Sequence, residues 1–254
     1  MKIKAISSTA IWTAVLFCTL AVGCGSDGQP EIAQGIDGCS SCGMVIDKVN
    51  EAAGYYVGKD FKPFCSPGCL LRGFENKRKQ GGTVPERVYF ADYLGSGLHP
   101  SDSTAFLITK HIPSVMGWGI ISFADRDAAN EHRKHEDESV VDWIGFRTQK
   151  GEPDRTLSLV FSPDGISPEV VELNKGELVE WEIKGSGLDR DVSVQLRGYE
   201  EIGEIVVPAS GEVIKVRLLA TKPGSGFPFV LSGSEKVLGQ VRIVGAHTAE
   251  EEDM

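Results

Sequence analysis

The sequence predicts an α+β domain followed by an all-β sandwich, and three observations support this division. Residues 37–146 mix short aromatic or β-branched runs with two helix patterns. Residues 147–154 form a charged linker containing Gly and Pro, in which the apolar pattern stops. Residues 155–245 alternate apolar and polar positions between turn residues, which is typical of a β-sandwich.

The first domain is predicted to repeat the order strand, strand, helix, strand. A hairpin is expected around Gly58-Lys59-Asp60, because short aromatic runs flank this turn. A helix is expected after Ser66 and Pro67, which suit the N-cap and the first helical position. A second helix is expected from about Asp125 to Glu136, and further strands are expected at 88–90, 104–111 and 118–123.

Composition excludes two functional classes. The 254 residues contain 26 Lys and Arg against 36 Asp and Glu, a formal net charge of −10, so no basic surface is expected to bind nucleic acid. Six cysteines are too few for a disulfide scaffold. Four of them nevertheless fall between Cys39 and Cys69, and this clustering is the first functional clue.

The first residues predict export. Lys2 and Lys4 precede an apolar run over 11–23 that is too short to span a bilayer, which is typical of a signal peptide over residues 1–23. The run ends in Leu20-Ala-Val-Gly-Cys24, which resembles a bacterial lipobox and predicts lipidation of Cys24. We expect membrane attachment on the periplasmic side, at the outer membrane in a Gram-negative cell because Gly25 follows. An N-terminal anchor or an ordinary secretory signal is the alternative.

Two segments are predicted to lack regular structure. Residues 24–36 are rich in Gly, Ser, Asp and Pro and are expected to form a flexible tether. Residues 246–254 form an acidic tail that is expected to be disordered.

The cysteine pattern predicts a soft-metal site. Cys39-x-x-Cys42-Gly-Met44 offers two thiols and a thioether, and Cys65-x-x-x-Cys69 offers two more thiols. Sulfur ligands at this density favour Cu(I), with Zn(II) as the main competitor. Because Cys65 and Cys69 lie at the predicted helix N-terminus, the helix dipole is expected to lower their thiol pKa values. Two structural disulfides are the alternative.

An ordered set of motifs carries a family resemblance. Cys39-x-x-Cys42-Gly-Met44, Phe64-Cys65-Ser-x-x-Cys69, Val88-Tyr-Phe-Ala-Asp92 and Val115-Met116-Gly-Trp-Gly119 resemble the NosL-type accessory lipoproteins of nitrous oxide reductase. The first two motifs are also similar to TRASH or YHS-type metal-binding modules. The NosL resemblance implies a membrane-attached protein that supplies Cu(I) to nitrous oxide reductase, with a fold similar to organomercurial lyase.

The resemblance also implies ligands. Carried onto matching positions, it makes Cys42, Met44 and Met116 the first candidates for copper ligation, with Cys39 and Cys69 next. Cys65 departs from the family pattern, in which an acidic residue is frequent. It is expected either to add a fourth thiolate or to form a disulfide with Cys69.

Histidines contribute little to this prediction. His99 and His111 lie near the segment before Met116 and are expected to be ordinary, partly exposed residues. His132 and His135 occur in an alternating charge run, which indicates a solvated helix face rather than a metal site.

The second domain resembles a cupredoxin sandwich through residues 167–181, 191–196, 223–230 and 239–244. A blue-copper site needs a cysteine, two histidines and usually a methionine. Residues 155–245 contain none of these residue types. We therefore expect a cupredoxin-like domain without a copper site, used for docking or spacing; a structural sandwich of another type is the alternative.

Three functions compete at this point. The first is a Cu(I)-binding accessory protein without enzymatic activity, whose partners are the membrane and a copper-accepting enzyme. The second is an enzyme, either a thiol-disulfide oxidoreductase using Cys39 and Cys42 or a carbon-mercury lyase suggested by fold alone; the flanking residues do not support the former, and fold analogy cannot assign the latter. The third is a structural zinc module that mediates an interaction.

Overall fold

A computed structural model of the protein describes residues 30–81, 85 and 87–245. The predicted signal peptide, residues 24–29 of the predicted tether and the acidic tail lie outside these residues. In the described part of the tether, Ile32 is buried and Gly35 N donates to Ile46 O at 2.9 Å, so this part packs against the chain. From Ile32 onward the chain belongs to one compact unit. In the described residues no helix is both long enough and apolar enough to cross a membrane.

The first sheet is antiparallel and is built around the expected hairpin. Strands β1 (Ala53–Val57) and β2 (Asp60–Phe64) pair across a turn in which Gly58 has φ 61°. Strands β3 (Val88–Ala91) and β4 (Leu98–Pro100) complete the order β2-β1-β3-β4. Helix α1 (Pro67–Lys79) follows β2 directly, which places its N-terminus beside the end of that strand.

A second, three-stranded sheet has a related order of elements. It contains β5 (Ala105–Ile108), β6 (Ile120–Phe123) and β7 (Ser139–Val141) in the order β6-β5-β7, with helix α2 (Arg126–His132) between β6 and β7. In both sheets the first strand lies between the second and the third. The prediction that the two halves of residues 37–146 are similar in other respects than this strand order stays a prediction.

Helix α2 is shorter than the sequence pattern predicts. It ends at His132, and Arg133 is already extended with φ −70° and ψ 114°. The carboxylate of Glu138 accepts hydrogen bonds from the backbone N–H groups of Lys134 and His135. These N–H groups are thereby satisfied outside a helix, so the prediction of a helix to Glu136 was wrong at its C-terminal end.

Helix α3 (Trp143–Lys150) occupies the first half of the segment predicted to be a linker. Asp142 caps it by accepting a hydrogen bond from Gly145 N, and Phe146 is fully buried. Arg147 donates from Nε to Glu75 on α1 at 2.9 Å. Arg147 therefore connects the predicted linker to the first part of the chain.

The remaining strands form two facing sheets. One sheet has the order β14-β11-β8-β9 and the other the order β10-β16-β15-β12-β13. Pairs β8/β11 and β10/β16 are parallel, and the other neighbours are antiparallel. The strands are β8 (Arg155–Phe161), β9 (Ile166–Ser167), β10 (Val170–Asn174), β11 (Leu178–Gly185), β12 (Val192–Leu196), β13 (Ile205–Val207), β14 (Ile214–Leu219), β15 (Gly224–Leu231) and β16 (Val237–Val244).

Alternation along β11 shows why this part folds as a sandwich. Val179, Trp181 and Ile183 are fully buried in its core, while Glu180 and Glu182 between them face the opposite side of the strand. Trp181 packs against Phe229 of the facing sheet, with ring centroids 5.5 Å apart. Taken together, the described residues are mostly β-structure with few helices.

Candidate metal centre

Four cysteine side chains converge at the N-terminus of α1. Their Sγ atoms, from Cys39, Cys42, Cys65 and Cys69, all lie within 4.8 Å of one another. The Cys42 and Cys65 sulfurs are 3.7 Å apart, and the Cys65 and Cys69 sulfurs are 3.6 Å apart. All four are free thiols, so the structure contains neither of the alternative disulfide arrangements among them.

The first two thiols are presented by a tight turn. Gly43 N donates to Cys39 O, and Cys39 N donates to Met44 O, both at 2.8 Å. Gly43 has φ 74°, a left-handed conformation that glycine adopts at low cost. Ser40 N donates to Pro63 O on β2, which fixes the turn beside the second cysteine pair.

The second pair is held by the start of α1. Ser66 caps this helix by accepting a hydrogen bond from Cys69 N at 3.2 Å. Cys65 precedes the cap and Cys69 lies in the first turn, so both sulfurs reach the same side of the helix. Cys69 is fully buried and Cys65 is 4% exposed, whereas Cys42 is only partly buried. Access from solvent is therefore through Cys42.

The thiols differ in acidity. Burial alone would raise the pKa of Cys39, but backbone N–H groups of Cys42, Cys65 and Ser41 lower it to about 7. Burial raises the pKa of Cys69, and burial together with hydrogen bonding to Cys69 raises the pKa of Cys65 far above its usual range. The expectation that the helix dipole would lower the pKa values of Cys65 and Cys69 was wrong, because loss of hydration outweighs the dipole there.

The sulfur spacing fits a metal ion. A tetrahedral ion with metal–sulfur bonds of about 2.3 Å separates its sulfur ligands by about 3.8 Å. The Cys42–Cys65 and Cys65–Cys69 sulfur separations of 3.7 and 3.6 Å are close to this value. All four cysteines are thus arranged as one thiolate-rich centre, in which Cys65 adopts a position suited to a fourth ligand.

The two candidate thioethers, of Met44 and Met116, both lie on exposed loops. Met44 is 52% exposed and directly follows the Cys39–Gly43 turn. Met116 is 50% exposed on the loop between β5 and β6, with φ 61°. This loop is fixed near the first turn of α1, since the Trp118 ring lies against Gly68 and Arg72. Val115 N also donates to the buried carboxylate of Glu51 at 2.7 Å.

The histidines lie in different surroundings. His99 forms a hydrogen bond with Ser96, and His132 packs its ring against Phe123 with its Nδ1 bonded to Ala128 O. His111 and His135 stack on each other with ring centroids 3.7 Å apart. Sequence reasoning missed this pair, because it placed His135 on the solvated face of a continuous helix that ends at His132 in the structure.

Comparisons with known proteins give limited similarity. The sequence matches no family model and no curated protein. Among solved structures, the copper chaperone NosL from Shewanella denitrificans is 19% identical over 45% of this chain and 92% of that chain, with a TM-score of 0.37. The metal-binding domain of the Cu(I)-exporting P-type ATPase CopA of Streptococcus pneumoniae D39 is 18% identical over 37% of this chain and 90% of that chain, with a TM-score of 0.30.

Auracyanin B is 9% identical over 37% of this chain and 91% of that chain, with a TM-score of 0.27. At these identities and TM-scores, none of the three similarities assigns a function.

Proposed function

We propose that this protein is a membrane-anchored Cu(I)-binding accessory protein that delivers copper to an exported copper enzyme and catalyses no reaction of its own. The observation that carries the proposal is the convergence of four free thiols within 4.8 Å at the N-terminus of α1. Thiolates are soft ligands that favour Cu(I) among the common biological metals. No other group of the described cysteines is available for this role.

The exposure of the centre supports transfer rather than permanent storage. Three of the thiols are buried, while Cys42 and the neighbouring Met44 thioether face solvent at the edge of the centre. An incoming protein ligand would therefore meet Cys42 and Met44 first. A carrier needs this arrangement, because the acceptor must bind copper before the donor has released all of its ligands.

The proposals for the copper acceptor and for the cellular location of the protein are based on its sequence. The NosL-type motifs support nitrous oxide reductase as the acceptor, and the lipobox-like segment ending in Cys24 supports attachment to the periplasmic side of the cell envelope. We extend the proposal to the fold: residues 37–146 are a repeated α+β domain related to NosL and organomercurial lyase, and residues 155–245 are a cupredoxin-like sandwich that docks or spaces the metal centre.

A structural zinc centre is the second candidate function. The sulfur separations of 3.6 and 3.7 Å favour it, because they are close to those of a tetrahedral tetrathiolate site. In that case the protein would be an interaction module that holds Zn(II) permanently. The two candidates differ in whether the Met44 thioether contributes to metal affinity.

The experiment that separates them is an anaerobic titration of the reduced chain from Gly25 to Met254. This chain keeps the whole compact unit and only the four clustered cysteines. Cu(I) and, separately, Zn(II) are added against a chromophoric competitor, with Met44→Ala as the variant. Val45→Ala is the matched control, since Val45 is the next residue and is also 52% exposed.

We expect Cu(I) binding that outcompetes the chromophore and is weakened by Met44→Ala but not by Val45→Ala. Cys42→Ser is expected to weaken it further. A preference for Zn(II) with equal affinities in all Met44 and Val45 variants would refute copper delivery and support the structural zinc centre.

A further inference from the structure

We propose that His111, His135 and Glu138 form a second metal site, separate from the thiols, for a divalent cation that prefers imidazole ligands, such as Zn(II) or Cu(II). One imidazole nitrogen from each histidine and a carboxylate oxygen of Glu138 lie within 4.8 Å of one another. Imidazole with carboxylate suits these ions, whereas Cu(I) prefers sulfur. The two centres therefore differ in ligand chemistry, sulfur in one and nitrogen with oxygen in the other.

Two buried side chains, Thr109 and Glu138, hold the backbone of both histidines by accepting hydrogen bonds from their N–H groups. Thr109 donates its hydroxyl to Glu138 Oε1 and accepts from His111 N at 2.9 Å. Glu138 Oε2 accepts from Lys134 N at 2.7 Å and from His135 N at 2.9 Å. Glu138 thus connects the end of β5 to the turn before β7, and the histidine rings stack across this connection.

Glu138 is a buried carboxylate whose hydrogen-bond donors carry no charge. It is only 4% exposed, and among the residues that the structure describes no Lys or Arg forms an ion pair with it. Its three donors are a hydroxyl and two backbone N–H groups, all neutral. Buried carboxylates are usually paired with a positive charge or coordinate a metal.

The Glu138 carboxylate has a lone-pair position left for a cation. A carboxylate has about four lone-pair positions, and the three hydrogen bonds use two on Oε2 and one on Oε1. One position on Oε1 is left for an ion.

Both histidine rings can be reached from solvent. Both residues are exposed, with 34% of the His111 side chain accessible, and the ring of His135 has no hydrogen-bond partner among the described residues. The ring of His111 bonds through Nε2 to Asp137 at 3.0 Å. Asp137 also holds Lys110 at 2.8 Å, and it lies at the edge of the site as a further oxygen ligand. The Lys110 ammonium therefore competes with a metal for Asp137.

The test follows the histidine ring ¹⁵N resonances of the reduced chain from Gly25 to Met254 during addition of Zn(II). This measurement is resolved by residue, so metal uptake by the thiols does not interfere with it. We expect the His111 and His135 resonances to shift together and those of His99 and His132 to stay unchanged. In the His111→Ala variant the His135 resonance is expected to lose its response, with His99→Ala as the matched control.

A second variant is expected to increase the affinity of this site for Zn(II). Lys110→Gln removes the competing ammonium without changing a ligand, and we expect it to tighten Zn(II) binding by about two- to fivefold, the range for loss of one exposed ion pair. Zn(II) affinity weaker than about 1 mM, or shifts of His135 that persist in His111→Ala, would overturn the proposal. So would equal affinities in Lys110→Gln and the unmodified protein.

Discussion

Cys39 ionises more easily than the buried Cys65 and Cys69 thiols. Three backbone N–H groups stabilise its thiolate and bring its pKa to about 7, whereas the Cys65 and Cys69 thiols keep their protons at this pH. The centre without metal therefore carries a negative charge at neutral pH, which attracts a cation. Binding of an ion by all four sulfurs must release the remaining protons.

The first prediction concerns this ionisation. The ultraviolet absorption of thiolate in the metal-free chain is expected to rise in a first step near pH 7, and Cys39→Ser is expected to remove that step. Cys42→Ser is the comparison variant. A first step that survives in Cys39→Ser would contradict the assignment.

The same pKa values set the dependence of stability on pH. Cys39 has a folded pKa below the unfolded value of about 8.5, so its contribution is complete above pH 8.5 and is lost as pH falls through 7. Cys65 and Cys69 have raised folded pKa values, so their contribution is complete below pH 8.5 and is lost as pH rises further. The metal-free centre should thus be most stabilising near pH 8.5.

The second prediction at the scale of residues concerns Met116. It is the one non-glycine residue with positive φ among the described residues, and a side chain in this conformation costs about 1–2 kcal/mol. Met116→Gly should therefore leave the free energy of unfolding unchanged or raise it by up to about 1 kcal/mol, even though it removes a side chain.

Met116→Leu separates strain from ligation. It keeps the strained backbone and the apolar shape but removes the sulfur, so stability should change little while Cu(I) affinity falls. Denaturant unfolding and Cu(I) competition on both variants give the two quantities. Unchanged Cu(I) affinity in Met116→Leu would exclude Met116 as a ligand.

At the scale of elements, α1 connects the metal centre to the sandwich. Its first turn carries Cys69, and at its other end Arg78 donates to both carboxylate oxygens of Asp154 at 2.7 and 2.8 Å. Asp154 also accepts from Leu178 N at the start of β11. Because Arg78 and Asp154 are less than one-fifth exposed, their charges depend on each other.

The third prediction follows from this contact. Asp154→Asn should lower the free energy of unfolding by about 2 kcal/mol, because Arg78 loses its two charged hydrogen bonds to Asp154 and keeps only Glu75, 2.7 Å away, as a carboxylate partner. Glu152→Gln is the matched control: Glu152 pairs with Lys79 on the same helix but is 83% exposed, so a change below about 1 kcal/mol is expected. Equal effects in chemical denaturation would refute the role of the Arg78–Asp154 pair.

Features that depend on neighbouring residues could be predicted from the sequence, whereas features that depend on long-range contacts could not. The hairpin at Gly58 and the start of α1 at Ser66 are determined by neighbouring residues, and the structure contains both. The C-terminal end of α2 depends on Glu138, which accepts from Lys134 N and His135 N and is held by Thr109, the residue after β5. Helical periodicity contains no information about such a contact.

The same reasoning applies to the candidate site. Cysteine spacing alone indicated a sulfur-rich centre, since both pairs are local motifs. Their acidity could not be predicted, because burial of Cys65 and Cys69 by the surrounding core outweighs the local helix dipole. The stacking of His111 on His135 likewise requires the pairing of β5 with β7, which brings together residues far apart in sequence.

At the scale of the whole molecule, the sandwich contributes no candidate metal ligand but supports the part of the chain that does. All four thiols lie between residues 39 and 69, and their hydrogen bonds are local to that region. The sandwich contacts α1 and α3 through Asp154 and through Arg217, which donates to Gln149 O and Gly151 O. Removal of the sandwich should therefore lower the stability of the chain without changing its metal affinity.

The fourth prediction tests this separation by shortening the chain. A chain of residues 25–154 retains the thiols, α3 and the Arg78–Asp154 pair, so its Cu(I) affinity should stay within about threefold of that of the longer chain. Its thermal unfolding temperature should fall, because the contacts of α3 with β14 are lost. A chain ending at Arg147 also loses Asp154 and the last turn of α3, and it should unfold at a lower temperature still. Loss of Cu(I) binding in the folded 25–154 chain would show that the sandwich takes part in the metal centre and that the two regions act as one functional unit.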